Sequence, residues 1–160
     1  MKRIIEISSN VLLYSFAGIA LVLLILNLVG IKPYITISGS MEPTIKTGSI
    51  CFVDVNEQYK DIRINDIIAF EAGNNNLVTH RVLNIDENGI ETKGDNNQDA
   101  DFIKTNESNF VGKTLFSIPY VGYLTMFFKK PIGILVIAII LILLFVPSFL
   151  KDKTTKQQAE

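Results

Sequence analysis

Ser38-Gly39-Ser40-Met41-Glu42-Pro43-Thr44 sits a short step beyond a long apolar stretch, in a chain of 160 residues that has one histidine. A serine hydroxyl is a poor nucleophile until a base takes its proton, and His80 is the imidazole available for that work. Ser40 and His80 therefore read as a pair, nucleophile and general base. An aspartate that fixes the imidazole tautomer and stabilises its charged form would complete the set. Asp95, Asp99 and Asp101 all fall in Gly94-Asp95-Asn96-Asn97-Gln98-Asp99-Ala100-Asp101, and the residues alone leave the choice among them open. The same segment also reads as a calcium loop or, better, as a solvated turn.

Two other chemistries compete with a serine nucleophile. Cys51 beside His80 would be competent as a thiolate, but Ile50-Cys51-Phe52-Val53-Asp54-Val55 has the pattern of a strand, in which a free cysteine behaves as a small buried hydrophobe. One His and one Cys cannot supply the usual clustered zinc ligands, so no metal and no cofactor is expected.

The elements that must position these residues are strands. β-Branched and aromatic runs occur at Ile35–Ile37, Ile50–Val55, Asp66–Phe70, Leu77–Ile85 and Gly89–Lys93, with breaks at Gly73-Asn74-Asn75-Asn76 and Asn88-Gly89. Across a two-residue hairpin, facing residues have numbers with a fixed sum. With Glu87-Asn88 as the turn, His80 faces Asp95; with Asn88-Gly89, it faces Asn97 and has Asp95 as its diagonal neighbour. Both registers put His80 and Asp95 on one face, unless a bulge breaks the parity.

Apolar residues make up 48% of the chain and concentrate near its two ends. From Val11 to Ile31 the clearly polar side chains are Ser15 and Asn27, and ~21 residues at ~1.5 Å rise span a hydrocarbon core of ~30 Å. The expected division is a cytoplasmic N-terminus over 1–10, a transmembrane helix over 11–31, an extracytoplasmic catalytic β domain over 32–130, a second transmembrane helix over 131–150 and a cytoplasmic tail over 151–160. A cleaved secretory signal competes for the first segment, but the run is longer than the usual apolar region and no small-x-small site follows it. Lys2 and Arg3 at one end, with Lys151, Lys153 and Lys156 at the other, mark both termini as cytoplasmic. Between Lys32 and Lys130, ten Lys/Arg against thirteen Asp/Glu make a slightly acidic domain without a nucleic-acid footprint.

Three segments in this order and spacing resemble the type I signal peptidases of the histidine-containing, endoplasmic-reticulum-type branch found in archaea, eukaryotes and some Gram-positive bacteria. Ser38-Gly39-Ser40-Met41-Glu42-Pro43-Thr44 resembles the nucleophile box, Thr79-His80-Arg81-Val82 the base box, and Thr92-Lys93-Gly94-Asp95-Asn96-Asn97 the acidic box. The resemblance implies a mainly β, compact signal-peptidase-like domain between two transmembrane helices. It implies a membrane-bound serine endopeptidase that removes N-terminal signal peptides from exported precursors after small-x-small motifs.

In that family the orienting aspartate lies six positions beyond the Gly-Asp aspartate, which falls on Asp101, with Asp95 also implicated in activity. Ser38 would help the Ser40 amide bind the oxyanion. Met41 would line a shallow apolar subsite. Implied partners are signal-peptide-bearing precursors, the lipid bilayer and the secretion translocon. The implied location is the cell membrane, or the endoplasmic reticulum membrane in a eukaryote. Most bacterial enzymes of this kind use lysine where His80 stands. A lysine must be desolvated to become neutral near pH 7, whereas an imidazole chiefly needs orientation, which an aspartate provides.

Other readings carry different expectations. A self-cleaving repressor-type Ser/Lys peptidase is opposed by two spans and a histidine base. A non-catalytic membrane-anchored β module would tolerate alanine at Ser40.

Overall fold

Helix α1 runs from Lys2 to Leu28 and stops at Gly30, whose φ of +83° is the left-handed conformation that glycine adopts without steric cost. The Gly30 carbonyl then accepts from Val55 N–H, so the chain turns straight from the helix into the sheet. The computed structural model describes residues 2–73 and 76–139.

Six antiparallel strands follow: β1 (Ile31–Ile35), β2 (Ile50–Asp54), β3 (Ile67–Glu71), β4 (Leu77–Asp86), β5 (Gly89–Lys93) and β6 (Phe110–Ile118). Their order across the sheet is β1-β2-β6-β3-β4-β5. A short 3₁₀ turn covers Tyr59–Asp61, and two helices, α2 (Val121–Lys129) and α3 (Pro131–Ile139), close the described chain. The protein is mainly β, as expected.

Two of the differences from the expected strands have clear physical causes. β1 starts earlier, at Ile31 instead of Ile35, and contains Pro33 opposite Phe52. Pro33 lacks an N–H, and β1 is an edge strand where none is required on the open side. β6 was not expected at all. It inserts between β2 and β3, and its Gly112-Lys113 pair looks unlike a central strand. A Cβ on Gly112 would lie 2.2 Å from the Asp54 carbonyl oxygen, so glycine is what lets β6 approach β2.

β3 is covered on both faces, which explains its unbroken Ile67-Ile68-Ala69-Phe70 run. Ala69 joins Met41, Ile45, Cys51 and Val53 in one core cluster, while Ile68 and Phe70 join Ile62, Val82 and Ile90 in the other. The sheet curls so that β1 and the start of β4 face one cleft. β5 pairs with β4 only from Arg81 to Asp86, leaving the edge of Leu77–His80 open on that side.

Among the described residues no single helix is long and apolar enough to cross a membrane, and Leu13–Leu28 is a shorter apolar helix. α2 and α3 together have the length and composition for a span but are bent by 91° where they meet. The expected second span begins in α3; its residues from 140 on, and the expected tail 151–160, lie outside the described residues. So do Asn74 and Asn75 of the expected break.

Candidate active site

The Ser38–Thr44 segment leaves β1 and folds into a tight turn. Glu42 N–H donates to the Gly39 carbonyl and Ile45 N–H to the Met41 carbonyl. Thr47 braces the turn by donating from its N–H (3.1 Å) and its hydroxyl (2.8 Å) to Glu42 Oε1. These hydrogen bonds, the backbone one foremost, hold the Glu42 carboxyl below its ordinary pKa. Met41, expected to line a subsite, is fully buried in the β core, and the cleft is lined without it. An apolar side chain next to Ser40 acts as a plug that pins the turn while the serine faces outward.

His80 stands on β4 opposite Ile68, 6% exposed, with its ring set edgewise to Phe70. Its Nε2 lies 3.0 Å from Ser40 Oγ, and its Nδ1 lies 2.6 Å from Asp101 Oδ2. With Nδ1–H donating to the carboxylate, Nε2 is free to accept the Ser40 hydroxyl proton. Asp101 is held in turn. Its N–H donates to the Thr92 carbonyl at 2.8 Å, and the Thr92 hydroxyl donates to the same Oδ2 at 2.6 Å. Thr92 is fully buried, and its residue type alone announces no role at the site. Its signal was faint, a β-branched polar residue in a strand that could equally be packing.

Asp95 does not face His80. β4 and β5 pair with sum 175 from Asp86↔Gly89 to Asn84↔Glu91, then with sum 174 at Val82↔Thr92 and Arg81↔Lys93, because a bulge intervenes at Leu83. The extra residue breaks the parity on which the shared-face expectation rested. Asp95 instead takes a bidentate pair from Arg81, 2.8 Å from Nε and 2.7 Å from Nη2, which holds its carboxyl below its ordinary pKa. Arg81 also donates to the Asn65 carbonyl at 3.0 Å and to Thr44 Oγ1 at 3.4 Å. Beside this clasp, Asn96 N–H donates to the Ser40 carbonyl at 2.8 Å. A Cβ on Gly94 would lie 2.6 Å from that same oxygen. One loop thus holds both the partner of the imidazole and the backbone of the serine.

Arg81→Met should remove about 2 kcal/mol of stability at neutral pH, the worth of charge-assisted hydrogen bonds. A carboxyl whose folded pKa is depressed stabilises above its unfolded value and loses that contribution as pH falls through the folded one. The difference between wild type and variant should therefore shrink in acid below the ordinary carboxylate range. Thermal melts of the detergent-solubilised chain across pH would check this; a gap that widens in acid would contradict it.

Ser38 Oγ lies 3.3 Å from Ser40 Oγ. Cys51 is 1% exposed in the core, near Thr36 Oγ1 at 3.2 Å, and burial pushes its thiol pKa up, which suits packing and not attack. The cleft holds about 400 Å³ and is bounded by Tyr34–Ser38 and Ser40 on one side and by Leu77–His80 on the other.

Residues 9–105 match the family described as signal peptidase, peptidase S26. The chain is 38% identical over 88 residues to "Signal peptidase I W" of Bacillus subtilis, a match covering 52% of this chain and 46% of that protein. It is 30% identical over 108 residues to "Signal peptidase complex catalytic subunit SEC11" of Colletotrichum graminicola, covering 60% and 63%. To the subunit SEC11C of Canis lupus familiaris it is 32% identical over 105 residues, covering 58% and 54%. The chain belongs to the signal peptidase family, peptidase S26. The matches span less than two thirds of the length of these relatives.

Proposed function

We propose that this protein is a membrane-bound serine endopeptidase that removes N-terminal signal peptides from exported precursors, cutting after small-x-small motifs. The observation that carries the reading is the line Ser40–His80–Asp101, at 3.0 and 2.6 Å, with Ser40 and His80 meeting from the two sides of the cleft. Ser40 Oγ attacks the scissile carbonyl as His80 Nε2 takes its proton, and Asp101 stabilises the imidazolium that forms. The oxyanion is met by the Ser40 N–H and, once it turns from Ser40, by the Ser38 hydroxyl. His80 then gives its proton to the leaving amine, and water repeats the sequence on the acyl-enzyme.

The cleft suits an extended substrate. Residues 36–38 continue from edge strand β1, and Leu77–His80 carries an open strand edge, so a peptide laid between them finds backbone partners on both sides. The names of the relatives in bacteria and eukaryotes support signal-peptide removal. The membrane part of the reading rests on the apolar helix Leu13–Leu28 and on the bent pair α2/α3. With a first span that ends with α1 at Leu28, short of the expected Ile31 that opens β1, and a second over 131–150, both termini are cytoplasmic and the β domain is extracytoplasmic, beside the translocon. Ser40 follows the end of α1 at Leu28 by twelve residues, a tether of at most ~40 Å at ~3.3 Å each, which keeps it on the side of the membrane where α1 ends.

The test is incubation of a labelled secretory precursor with membranes carrying this chain or lacking it, followed by sequencing of the new N-terminus. A chain-dependent cut after a small-x-small site is expected. No cut, with the chain intact and a competent precursor, would leave a non-catalytic membrane module.

A further inference from the structure

The outward face of α2 is apolar. Tyr120, Val121, Tyr123, Leu124 and Phe127 recur at helical spacing and are all at least 40% exposed, while the residue the helix buries is Gly122. A helix on the surface of a water-soluble domain turns its apolar stripe inward; this one turns it out. At its end stand Lys129 and Lys130, exposed and paired with no carboxylate among the described residues. There the chain bends by 91° into α3, whose Ile132, Ile134 and Leu135 are exposed as well. If α3 runs along a membrane normal, a right-angle bend lays α2 in the membrane plane. Its aromatic stripe then meets the headgroup boundary, and its two lysines meet lipid phosphates.

The N-terminus of α2 is fastened to the turn that supports the nucleophile. Gly122 N–H donates to the Gly48 carbonyl at 2.9 Å. A Cβ on Gly122 would lie 2.7 Å from that oxygen, and one on Gly48 would lie 2.2 Å from the Tyr123 ring. Lys46 Nζ donates to the Tyr120 hydroxyl at 3.0 Å. From the same turn, Thr47 grips Glu42, two residues beyond Ser40, and Gly48 N–H and the Ser49 carbonyl pair with the backbone of Thr36 on the rim of the cleft. Lys46–Ser49 therefore touches the helix on one side and both the nucleophile turn and the cleft rim on the other.

We propose that α2 is seated on an anionic bilayer surface, and that the Lys46–Ser49 turn transmits this seating to Ser40 and the cleft, setting the nucleophile at the height of a membrane-held substrate. The second half rests on the peptidase reading; the first rests only on α3 entering the membrane. The chain has no tryptophan, so Phe127→Trp gives a single fluorescent reporter. In full chain reconstituted into phosphatidylcholine/phosphatidylglycerol vesicles, shallow brominated lipid should quench it by roughly half, as for a helix ~5–10 Å into the headgroup boundary. Ile85→Trp, at the far end of β4, should answer to aqueous iodide instead.

Tyr120→Phe removes one hydroxyl from the latch. Cleavage of a vesicle-embedded precursor should fall about five-fold, the worth of one ordinary hydrogen bond, while cleavage of a short soluble peptide stays within about two-fold. A Phe127→Trp reporter untouched by brominated lipid, including one shielded by protein, overturns the seating. Equal losses on both substrates, or none, overturn the transmission. Absence of all cleavage strikes the peptidase reading, and the quenching result still decides the seating.

Discussion

Ser40→Ala should lower kcat by roughly 10⁶-fold, as expected when the nucleophile of a serine, imidazole and carboxylate unit is removed, and should leave the fold in place. The contacts that position Ser40 are made by its backbone: Asn96 N–H donates to its carbonyl, and the turn is closed through Gly39, Glu42 and Thr47. The side chain adds only its hydroxyl contacts to His80 and to Ser38, on the wall of the cleft. Losing Oγ therefore removes the attacking atom without unpinning Met41 beneath it. The measurement is precursor cleavage at matched expression, with far-ultraviolet circular dichroism as the control on folding. A folded Ser40→Ala protein that still cuts at the wild-type rate would end the serine mechanism.

The two halves of this site were unequally legible in the sequence. Ser40 and His80 stood out because a chain with a single imidazole leaves little choice of base, and the structure brings them within hydrogen-bond reach. The aspartate could not be chosen from the residues alone. Asp101 lies eight positions beyond the end of β5 and returns to His80 because its N–H docks on the Thr92 carbonyl, a contact between a loop and a strand that no periodicity announces. Asp95 looked better placed by hairpin arithmetic, and one extra residue at Leu83 undid it. Bulges are hard to read because their residues are chemically ordinary. The same limit hid β6, where Gly112 serves a close backbone approach visible only once Asp54 lies against it. β5 was located to the residue, because its boundaries are set locally, by Gly89 at one end and Gly94 at the other.

The contrast between the two aspartates becomes the second large effect. Asp101→Asn should reduce kcat by about 10⁴-fold. In the wild type both Thr92 O–H and His80 Nδ1–H can donate to Asp101 Oδ2, so the carboxylate enforces a proton on Nδ1 and leaves Nε2 basic toward Ser40. An asparagine amide can turn its NH₂ toward Nδ1, which puts the imidazole proton on Nε2, where it faces the serine and cannot accept from it. It also removes the charge that stabilises the imidazolium. Asp95→Asn should cost far less, at most about 10²-fold, the scale of a positioning defect of about an ångström, because Asp95 acts through Arg81 and the loop beneath Ser40. Arg81→Met should reproduce that smaller loss, and combining it with Asp95→Asn should add little, since both dismantle one clasp. Steady-state kinetics on the four variants would settle the order. If Asp95→Asn proved the deeper defect, the partner of His80 in the working enzyme would be Asp95, and the loop would have to rearrange when substrate binds.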